Sequence, residues 1–575
     1  MKEDFYQEYE KWKEMTKTAT VFDQDIINEL NLIQNDNEKI KDAFYCNLAF
    51  GTGGLRGVIG AGTNRMNVYT VARASQGLSN YIKKHFSKEK RFVAISYDSR
   101  IKSDLFAKVA AGVFAENGIN VYIYSQLMPT PCLSYAVRFL KCAAGIMVTA
   151  SHNPSNYNGY KVYGKDGCQI TKEAANEIWE EMEKIDVFDD INVIPFEIGV
   201  SKKSIQYIPE EVYTNFVEQV KKQSVLNDRK IDRNIAIIYT PLNGTGLTPV
   251  LQVLRESGYS NIRVVEEQKN PDGVFPTCPY PNPEVKDAME LGIEYAQKYN
   301  ADLLLATDPD CDRVGIAVRN RDSEYVLLTG NETGVLLLDY ICSQRLQNKM
   351  MPKDPVFIKS IVTTDLAEQI ASSYGVSTIN VLTGFKYIGE QIGRLEKEGK
   401  VESYIFGFEE SYGYLTGSYV RDKDGVNGAF MICEMFVYYA SQGISLLEKL
   451  NQLYEKYGYY LNSLHSYQFE GYEGFKKMNN IMKCLQNEEA KIGKLDIVKV
   501  LNYNKQIDNL PKSNVLKFML KNDCSLIVRP SGTEPKLKIY TSVRATSKEA
   551  AKEKERWIVD NFEKILLANE TKNNS

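Results

Sequence analysis

A serine in a turn-rich loop is the first candidate for chemistry. Ser151 follows an apolar run at residues 146–148, which is typical of a buried strand. Pro154 removes a backbone donor and restricts the residue before it, so we expect Ser151 on a tight loop where the strand ends. Open α/β sheets place their ligands at such strand ends. With Lys161 returning towards the serine, the loop suits phosphoryl transfer, and an ordinary surface turn with a capping serine is the alternative.

Three aspartates alternate directly after a second apolar run. Asp308, Asp310 and Asp312 cannot be clustered cheaply unless something cationic neutralises them. Oxygen-only ligands select a hard cation, and a site that shares its metal with a phosphate favours magnesium. An EF-hand is excluded, because Arg313 and Arg319 occupy the positions of its required glycine and final glutamate. An aspartyl-phosphate nucleophile and a plain acidic turn remain as alternatives.

Two glycine-containing loops add cationic and polar groups. The loop at residues 51–57 lacks the lysine of a P-loop, but its glycines let the backbone approach a ligand while Arg56 offers a forked donor. A flexible hairpin with a solvated arginine is the alternative. Further along the chain, Glu409 and Ser411 follow a strand two residues apart, so both can face a polyhydroxylated ligand. A cap or a turn is the simpler interpretation of each residue alone.

A loop near the C-terminus has the composition of a phosphate site. Two predicted strands flank Arg529, two hydroxyl residues, a glycine and nearby lysines. A planar guanidinium, hydroxyl donors and free backbone N–H groups together suit a phosphate dianion.

Strands and helices alternate through most of the chain. A strand at 92–96, a helix at 104–116 and a strand at 119–124 favour parallel crossover connections, and similar units begin near residues 235 and 356. Residues 187–206 are irregular and form the first predicted linker. From about residue 455 the crossovers disappear, and Thr546 with Glu549 predicts a capping box for a terminal helix. The predicted segments are a helical N-terminal extension (1–48) and domains at 49–206, 207–328, 329–454 and 455–575.

Composition narrows the class of protein. A chain of 575 residues with 43% hydrophobic and 25% charged residues is too long for one core and has the composition of a globular protein. A net charge of -4 gives no footprint for nucleic acid or an acidic membrane. The charged N-terminus predicts no signal peptide, and ten scattered cysteines favour reduced thiols in a cytoplasm. With three histidines, acid–base chemistry is expected from carboxylates and lysines.

Five blocks in order resemble the α-D-phosphohexomutases, the phosphoglucomutase and phosphomannomutase superfamily. They are TASHNPSNYNGYK, TDPDCDR, TGFK, GFEESYG and RPSGTEPKLKIY. The length is most similar to the branch that contains phosphoglucomutases and phosphopentomutases. The resemblance implies an α/β fold of four domains around a central cleft. Three would be related mixed α/β domains, and the fourth a TATA-box-binding-protein-like α+β domain.

The resemblance also implies a role for each matching residue. Ser151 would be the phosphoserine, and Asp308, Asp310 and Asp312 would bind one Mg²⁺ together with a phosphoserine oxygen. Lys161 and Lys386 would act at the reacting oxygens. The remaining implied contacts are Arg56 and Arg313 at the transferring phosphoryl group, Glu409 and Ser411 at the sugar hydroxyls, and Arg529, Ser531, Gly532, Thr533 and Lys538 at the other phosphate. Lys538 stands where some relatives have arginine, which predicts a weaker grip.

The implied activity is the interconversion of a sugar 1-phosphate and a sugar 6-phosphate through a phosphoserine and a sugar 1,6-bisphosphate. Glucose phosphates are the expected substrates, with pentose or mannose phosphates as alternatives. Gly413 stands where some phosphomannomutases have histidine, which argues against dual mannose specificity. A serine-nucleophile phosphatase and a non-catalytic sugar-phosphate sensor are alternatives of another class. We expect a cytoplasmic monomer or weak homodimer that binds neither nucleic acid nor a membrane.

Overall fold

The N-terminal segment packs on the first sheet. The structure, a computed structural model, describes residues 5–51, 53–227, 229–469, 471–486, 492–507, 510–530 and 536–571. The segment forms helices α1 (Phe5–Met15), α2 (Gln24–Ile33) and α3 (Asn37–Phe44). Trp12 is fully buried, and its ring meets those of Phe44 and Tyr69 edge to face at 5.6 and 5.2 Å. These helices therefore belong to the core of the first sheet.

The first sheet has six strands in the order β1-β5-β4-β2-β3-β6. The elements are β1 (Gly54–Val58), α4 (Val68–His85), β2 (Phe92–Tyr97), α5 (Ser103–Glu116), β3 (Asn120–Ile123), α6 (Thr130–Phe139), β4 (Ala144–Val148), β5 (Tyr157–Gly164), α7 (Lys172–Met182), α8 (Phe196–Ser201) and β6 (Ile205–Tyr207). β4, β2, β3 and β6 are parallel neighbours. The linker predicted at 187–206 is wrong, because α8 lies within it and β6 pairs with β3.

The second and third sheets are also mixed, with strand orders β11-β10-β9-β7-β8 and β13-β12-β14-β15. The second comprises α9 (Glu210–Lys221), β7 (Ile237–Thr240), α10 (Leu247–Glu256), β8 (Ile262–Val264), α11 (Glu266–Lys269), α12 (Lys286–Lys298), β9 (Leu303–Thr307), β10 (Val314–Arg319) and β11 (Tyr325–Leu328). The third comprises α13 (Gly330–Gln347), β12 (Val356–Ser360), α14 (Leu366–Ser373), β13 (Ser377–Val381), α15 (Phe385–Lys397), β14 (Tyr404–Glu409), β15 (Gly413–Leu415), α16 (Gly425–Ala440) and α17 (Leu446–Tyr457).

The fourth sheet is antiparallel, in the order β16-β20-β19-β18-β17. Its elements are β16 (Tyr459–Gln468), α18 (Gly471–Leu485), β17 (Ile497–Asn502), β18 (Leu516–Leu520), β19 (Cys524–Pro530), β20 (Lys536–Ala545) and α19 (Lys548–Thr571). The cap predicted for α19 is shifted by one residue: the Ser547 hydroxyl, rather than that of Thr546, accepts a hydrogen bond from the Ala550 N–H at 3.2 Å. Three mixed sheets with their helices and one antiparallel sheet with its helices confirm the predicted fold class, three α/β domains followed by an α+β domain.

Burial explains how the sheets position the loops between them. Every residue of β4 and β9 is buried, as expected for strands covered on both faces. Met147, Tyr239 and Phe357, one from each mixed sheet, belong to one continuous core. The fourth sheet has its own core, which includes Phe518 and Ile558. Among the described residues, no helix is both long and apolar enough to cross a membrane.

Candidate active site

Ser151 lies at the tip of the loop that follows β4. Its backbone is left-handed, with φ of 52°, and the residue is 4% exposed, so the surface-turn alternative is wrong. Its Oγ donates a hydrogen bond to Asp308 Oδ2 at 2.8 Å and lies 3.2 Å from His152 Nδ1. Burial, followed by the charges of Arg313 and Arg56, lowers the pKa of His152 to about 2. The serine hydroxyl therefore lies between a carboxylate and a neutral imidazole.

The three aspartates occupy the loop that follows β9, and all three are buried. One carboxylate oxygen from each lies within 4.8 Å of the others. Asp308 Oδ1 accepts hydrogen bonds from the backbone N–H groups of Asp312 and Arg313, both at 3.0 Å. Cys311, with φ of 49°, makes the turn that brings these N–H groups back to the carboxylate. We call Ser151, Lys161, Asp308, Asp310 and Asp312 the serine–aspartate site.

Donors from two other sheets meet these carboxylates. Asp310 Oδ2 accepts from Lys161 Nζ at 2.8 Å and from Thr130 Oγ1 at 2.9 Å, both in the first sheet region. Lys423 Nζ, from the third, lies 2.7 Å from Asp312 Oδ2. Although burial alone would raise the pKa of Asp310, the charge and hydrogen bond of Lys161 bring it below its ordinary value.

The remaining oxygens suit a metal ion. Asp310 Oδ1 and Asp312 Oδ1 are buried and accept no hydrogen bond from the residues that the structure describes. Burial, with the charges of Asp312 and Asp310, raises the pKa of Asp308 well above its ordinary value. A divalent cation would satisfy the free oxygens and relieve this repulsion, and an all-oxygen set favours a hard ion. The cluster could therefore hold a metal ion.

Three further predicted cations lie on separate elements. Arg56 is exposed on β1 and lies within electrostatic range of Asp310. Arg313 forms an ion pair with Glu284, and its Nε lies 3.9 Å from an oxygen of Asp312. Lys386 is half-buried in the first turn of α15, where burial lowers its pKa. Arg56 and Arg313 thus border the serine–aspartate site, whereas the charges that act on Lys386 are those of Cys168, Glu390 and Glu173.

Glu409 and Ser411 lie at the end of β14. Glu409 Oε1 accepts a hydrogen bond from the Gly384 N–H at 2.7 Å, which ties β14 to the start of α15. Burial and the neighbouring charge of Glu410 raise the pKa of Glu409 to about 7. Ser411 is half-buried in the turn before β15. Glu409 thus contacts the start of α15, and Ser411 follows two residues later in the turn to β15; that both face a sugar stays a prediction.

Arg529 and Lys538, which we call the arginine–lysine pair, are directly opposite each other on β19 and β20. Burial, then the charges of Arg529 and Lys536, lowers the pKa of Lys538. Like charges placed directly across two strands destabilise a sheet, so this arrangement favours an anionic ligand. Arg529 also forms a hydrogen bond with Tyr540, whose hydroxyl is within reach of the negative charges of Glu410 and Glu409. Ser531, Gly532 and Thr533 lie outside the described residues.

Three residues of the site carried no predicted role. Thr130 and Lys423 contact the aspartates, and Arg100 contacts the backbone of the serine loop. Lys423 lies in a run of alternating charges just before α16, and Arg100 follows β2. Charged residues at strand and helix ends were the available signal, but sequence spacing cannot show which distant loops meet.

The chain matches all four domains of one family. Residues 47–188, 211–321 and 329–457 match the phosphoglucomutase/phosphomannomutase alpha/beta/alpha domains I, II and III, and residues 481–558 match the C-terminal domain. A phosphoglucomutase of Staphylococcus saprophyticus is 37% identical over 510 residues, which cover 86% of this chain and 90% of the relative. One from Staphylococcus aureus is 35% identical over 531 residues, or 89% and 92% of the two chains. The protein belongs to the phosphoglucomutase/phosphomannomutase family, which confirms the resemblance.

Solved structures share the fold. The phosphoglucomutase parafusin from Paramecium superposes with a TM-score of 0.68 at 18% identity, covering 90% of this chain and 95% of that one. A phosphoglucomutase/phosphomannomutase family protein from Burkholderia thailandensis gives 0.68 at 17% identity, with coverage of 91% and 97%. These similarities support the four-domain architecture.

Proposed function

We propose that this protein interconverts α-D-glucose 1-phosphate and glucose 6-phosphate, with Ser151 as the phosphoryl carrier. The observation that carries the proposal is the Ser151 hydroxyl, 2.8 Å from Asp308 in a buried cluster of aspartates and lysines. A second cationic group, the arginine–lysine pair, lies on another sheet. The staphylococcal relatives carry the name phosphoglucomutase, which supports glucose as the sugar.

The reaction consists of two phosphoryl transfers. The free hydroxyl of the sugar phosphate attacks phosphorus, the bond from phosphorus to Ser151 Oγ breaks, and the hydroxyl proton passes to a base. The resulting sugar 1,6-bisphosphate turns over, Ser151 Oγ attacks its other phosphorus, the bond from that phosphorus to the sugar oxygen breaks, and the sugar oxygen takes up a proton. Arg56, Arg313 and Lys161 offset charge on the moving group, since phosphoryl transfer depends chiefly on positioning and electrostatics. Lys386, whose pKa burial lowers, serves the reacting oxygen from the third sheet.

Asp308, Asp310 and Asp312, with an oxygen of the phosphorylated serine, would hold one Mg²⁺ per chain. When bound, magnesium would neutralise part of the charge that develops on the phosphoryl group. Thr130, Lys161 and Lys423 hold the outer oxygens of Asp310 and Asp312, which fixes the carboxylates in place. Such partners of metal ligands fix ligand orientation.

Residues away from the serine hold the sugar and its second phosphate. Glu409 and Ser411 bind sugar hydroxyls as acceptor and as donor or acceptor. The non-transferring phosphate is held by the arginine–lysine pair together with Ser531, Gly532 and Thr533. Both phosphates must occupy this second position in turn, so the sugar 1,6-bisphosphate acts as intermediate and activator.

The setting of the enzyme is part of the proposal. We keep the domain limits 49–206, 207–328, 329–454 and 455–575 as a proposal, which the order of the four sheets supports, although β6 (Ile205–Tyr207) and α17 (Leu446–Tyr457) each extend past a limit. All ten cysteines are free thiols, which supports a reducing cytoplasm. We infer a monomer or weak homodimer.

Turnover of glucose 1-phosphate, mannose 1-phosphate and ribose 1-phosphate tests the proposal. We expect kcat/KM for glucose 1-phosphate to be highest. A Cβ at Gly413 would lie 2.5 Å from Lys423 Cδ, so the side chain of Lys423 fills the space that a larger residue at 413 would need. Preference for ribose 1-phosphate would indicate a phosphopentomutase, and preference for mannose 1-phosphate a phosphomannomutase. Release of inorganic phosphate would indicate a phosphatase, and no turnover a sensor.

A further inference from the structure

Arg100 holds the loop that carries Ser151. Its guanidinium donates to four backbone carbonyls of that loop: those of Ser151, Asn153, Pro154 and Tyr157. The contacts with Pro154 O and Tyr157 O measure 2.8 and 3.0 Å. A planar guanidinium has five donors in fixed directions, and four of the bonds here hold one short loop. The arginine therefore fixes the path of the backbone on both sides of the loop tip.

Asp98 holds the arginine in turn. The side chains of Arg100 and Asp98 are fully buried, with Nε 3.5 Å from Asp98 Oδ2. Asp98 Oδ1 accepts from the Arg100 backbone N–H at 3.0 Å and from Ser103 Oγ at 2.8 Å. Since these partners follow β2, the arginine is anchored to the rigid end of a central strand. The serine loop, by contrast, must keep Ser151 in a left-handed conformation that L-residues rarely adopt.

A segment of the second sheet region closes over Arg100. Its guanidinium carbon lies 5.1 Å from the ring centre of Phe275, and Arg100 forms an isolated β-bridge with Gly273. A Cβ at Gly273 would lie 2.4 Å from Ile101 N, so only glycine permits this approach. Arg100 thus joins the serine loop to the part of the molecule that carries the aspartates.

We propose that Arg100 is a positioning residue that holds Ser151 in line for phosphoryl transfer. It does not contact the reacting atoms, and it acts by fixing the backbone that places Oγ against Asp308. The inference rests on the proposed function for its kinetic consequence, but not for its structural one. A misplacement of about 1 Å in a reacting group can cost about a hundredfold in rate. We therefore expect loss of Arg100 to lower kcat much more than it raises KM.

The test compares Arg100→Lys with Arg233→Lys. Lysine keeps the charge of Arg100 but cannot donate to four carbonyls at once. Arg233 is a matched control, because it donates to the Ser257 carbonyl and lies 5.8 Å from the ring centre of Tyr259. In Arg100→Lys we expect kcat for glucose 1-phosphate to fall about tenfold to a hundredfold, with KM within about threefold of wild type. Arg233→Lys should keep both constants.

Hydrogen exchange tests the structural half without any assumption about substrate. In Arg100→Lys, amides of residues 150–157 should exchange about tenfold faster or more, while those of β4 and β9 keep wild-type rates. Wild-type exchange in the loop, or a kcat that falls only in proportion to the folded fraction, would overturn the inference. An inactive wild-type enzyme with faster loop exchange in Arg100→Lys would instead refute the proposed function alone. If Arg100→Lys does not fold, Asp98→Asn, which keeps Arg100, must show the same faster loop exchange.

Discussion

The serine–aspartate site and the arginine–lysine pair differ in how their charges are balanced. In the first, lysines lie beside buried carboxylates, and three of the six aspartate carboxylate oxygens already accept a hydrogen bond. In the second, two cations are directly opposed on neighbouring strands, and their mutual repulsion contributes to the lowered pKa of Lys538. A site with both signs of charge suits a metal and a phosphoryl group that comes and goes. A pair of directly opposed cations suits a phosphate that only binds.

The sharpest way to break this comparison is Ser151→Ala. If only the serine–aspartate site performs transfer, the variant should lose at least ~10³-fold in turnover, because no other group replaces the carrier. The fold should survive, since the change removes one hydrogen bond of about 1 kcal/mol. Coupled assay of glucose 6-phosphate formation measures the first effect, and thermal unfolding the second. Near-normal turnover by a folded variant would show that the carrier lies elsewhere.

Asp310→Asn tests whether the serine–aspartate site depends on a metal cation. The variant should lose about a hundredfold or more in activity, and Mg²⁺ should no longer raise its Tm as it does for wild type. It should also lose about 1–3 kcal/mol of stability, because Lys161 and Thr130 lose a buried charged acceptor.

Asp339→Asn is the control for this variant. Asp339 is buried and pairs with Lys449 at 2.8 Å, away from the aspartate loop. It should lose similar stability but keep the Mg²⁺ response and the activity. Full activity of the wild type after metal chelation would show that the aspartates do not act by binding a metal ion.

Arg529→Met tests whether the arginine–lysine pair binds a phosphate. Loss of a charge-assisted contact should cost about 1.5–3 kcal/mol of binding free energy. The affinity for sugar phosphates should therefore fall about tenfold to a hundredfold. The requirement for added glucose 1,6-bisphosphate should rise, because an intermediate held at one end escapes more often. Mg²⁺ binding, measured by calorimetry, should not change.

Arg544→Met provides the matched change on the same sheet. Arg544 pairs with Asp523 on the surface and has no place in the proposed site. It should keep KM and the bisphosphate requirement of the wild type. An equal loss of affinity in both variants would mean that any disruption of the fourth sheet weakens binding, and not specifically the loss of a phosphate contact.

The smallest expected effect is the pH dependence from Glu409, on which the charges of Lys423 and Arg313 act. Its pKa of about 7 means that protonation begins as the pH falls through neutrality, and a protonated carboxyl is a poorer acceptor for sugar hydroxyls. KM should therefore rise about threefold to tenfold from pH 8 to pH 6. Glu409→Gln keeps the titration of the substrate phosphate but should lose this extra rise. Parallel KM profiles for the two proteins would exclude Glu409 as the group responsible.

The raised pKa of Glu409 also makes the stability of the folded protein depend on pH. Because the folded-state pKa of Glu409 is above its ordinary value of 4.5, the folded protein holds this proton more tightly than the unfolded chain does. Its contribution to stability is fully present below about pH 4.5 and is lost as the pH rises through about 7. Relative to wild type, Glu409→Gln should therefore gain stability between pH 5 and pH 8 in denaturant unfolding. No relative gain would mean that burial does not penalise the Glu409 carboxylate.

Much of the arrangement follows from the sequence, and the failures have physical reasons. Ser151 and Asp308 were predicted on loops after buried strands because continuous apolar runs that end in turn residues are a strong local signal. The segment 187–206 was predicted as a linker because β6, at three residues, is too short to show a pattern. Its pairing with β3 is a tertiary contact that no local signal records. Lys423 and Arg100 were missed for the same reason, since their partners are distant in the chain.

The most direct test of the central claim follows the phosphoryl group itself. Protein labelled with ³²P on Ser151 is mixed with excess unlabelled glucose 1-phosphate, and the products of a single turnover are separated. We predict that the label leaves the protein and appears in glucose 1,6-bisphosphate and glucose 6-phosphate at the rate of the steady-state reaction. Label that stays on the protein, or that appears as inorganic phosphate, would contradict the claim that Ser151 carries the phosphoryl group between the two ends of the sugar.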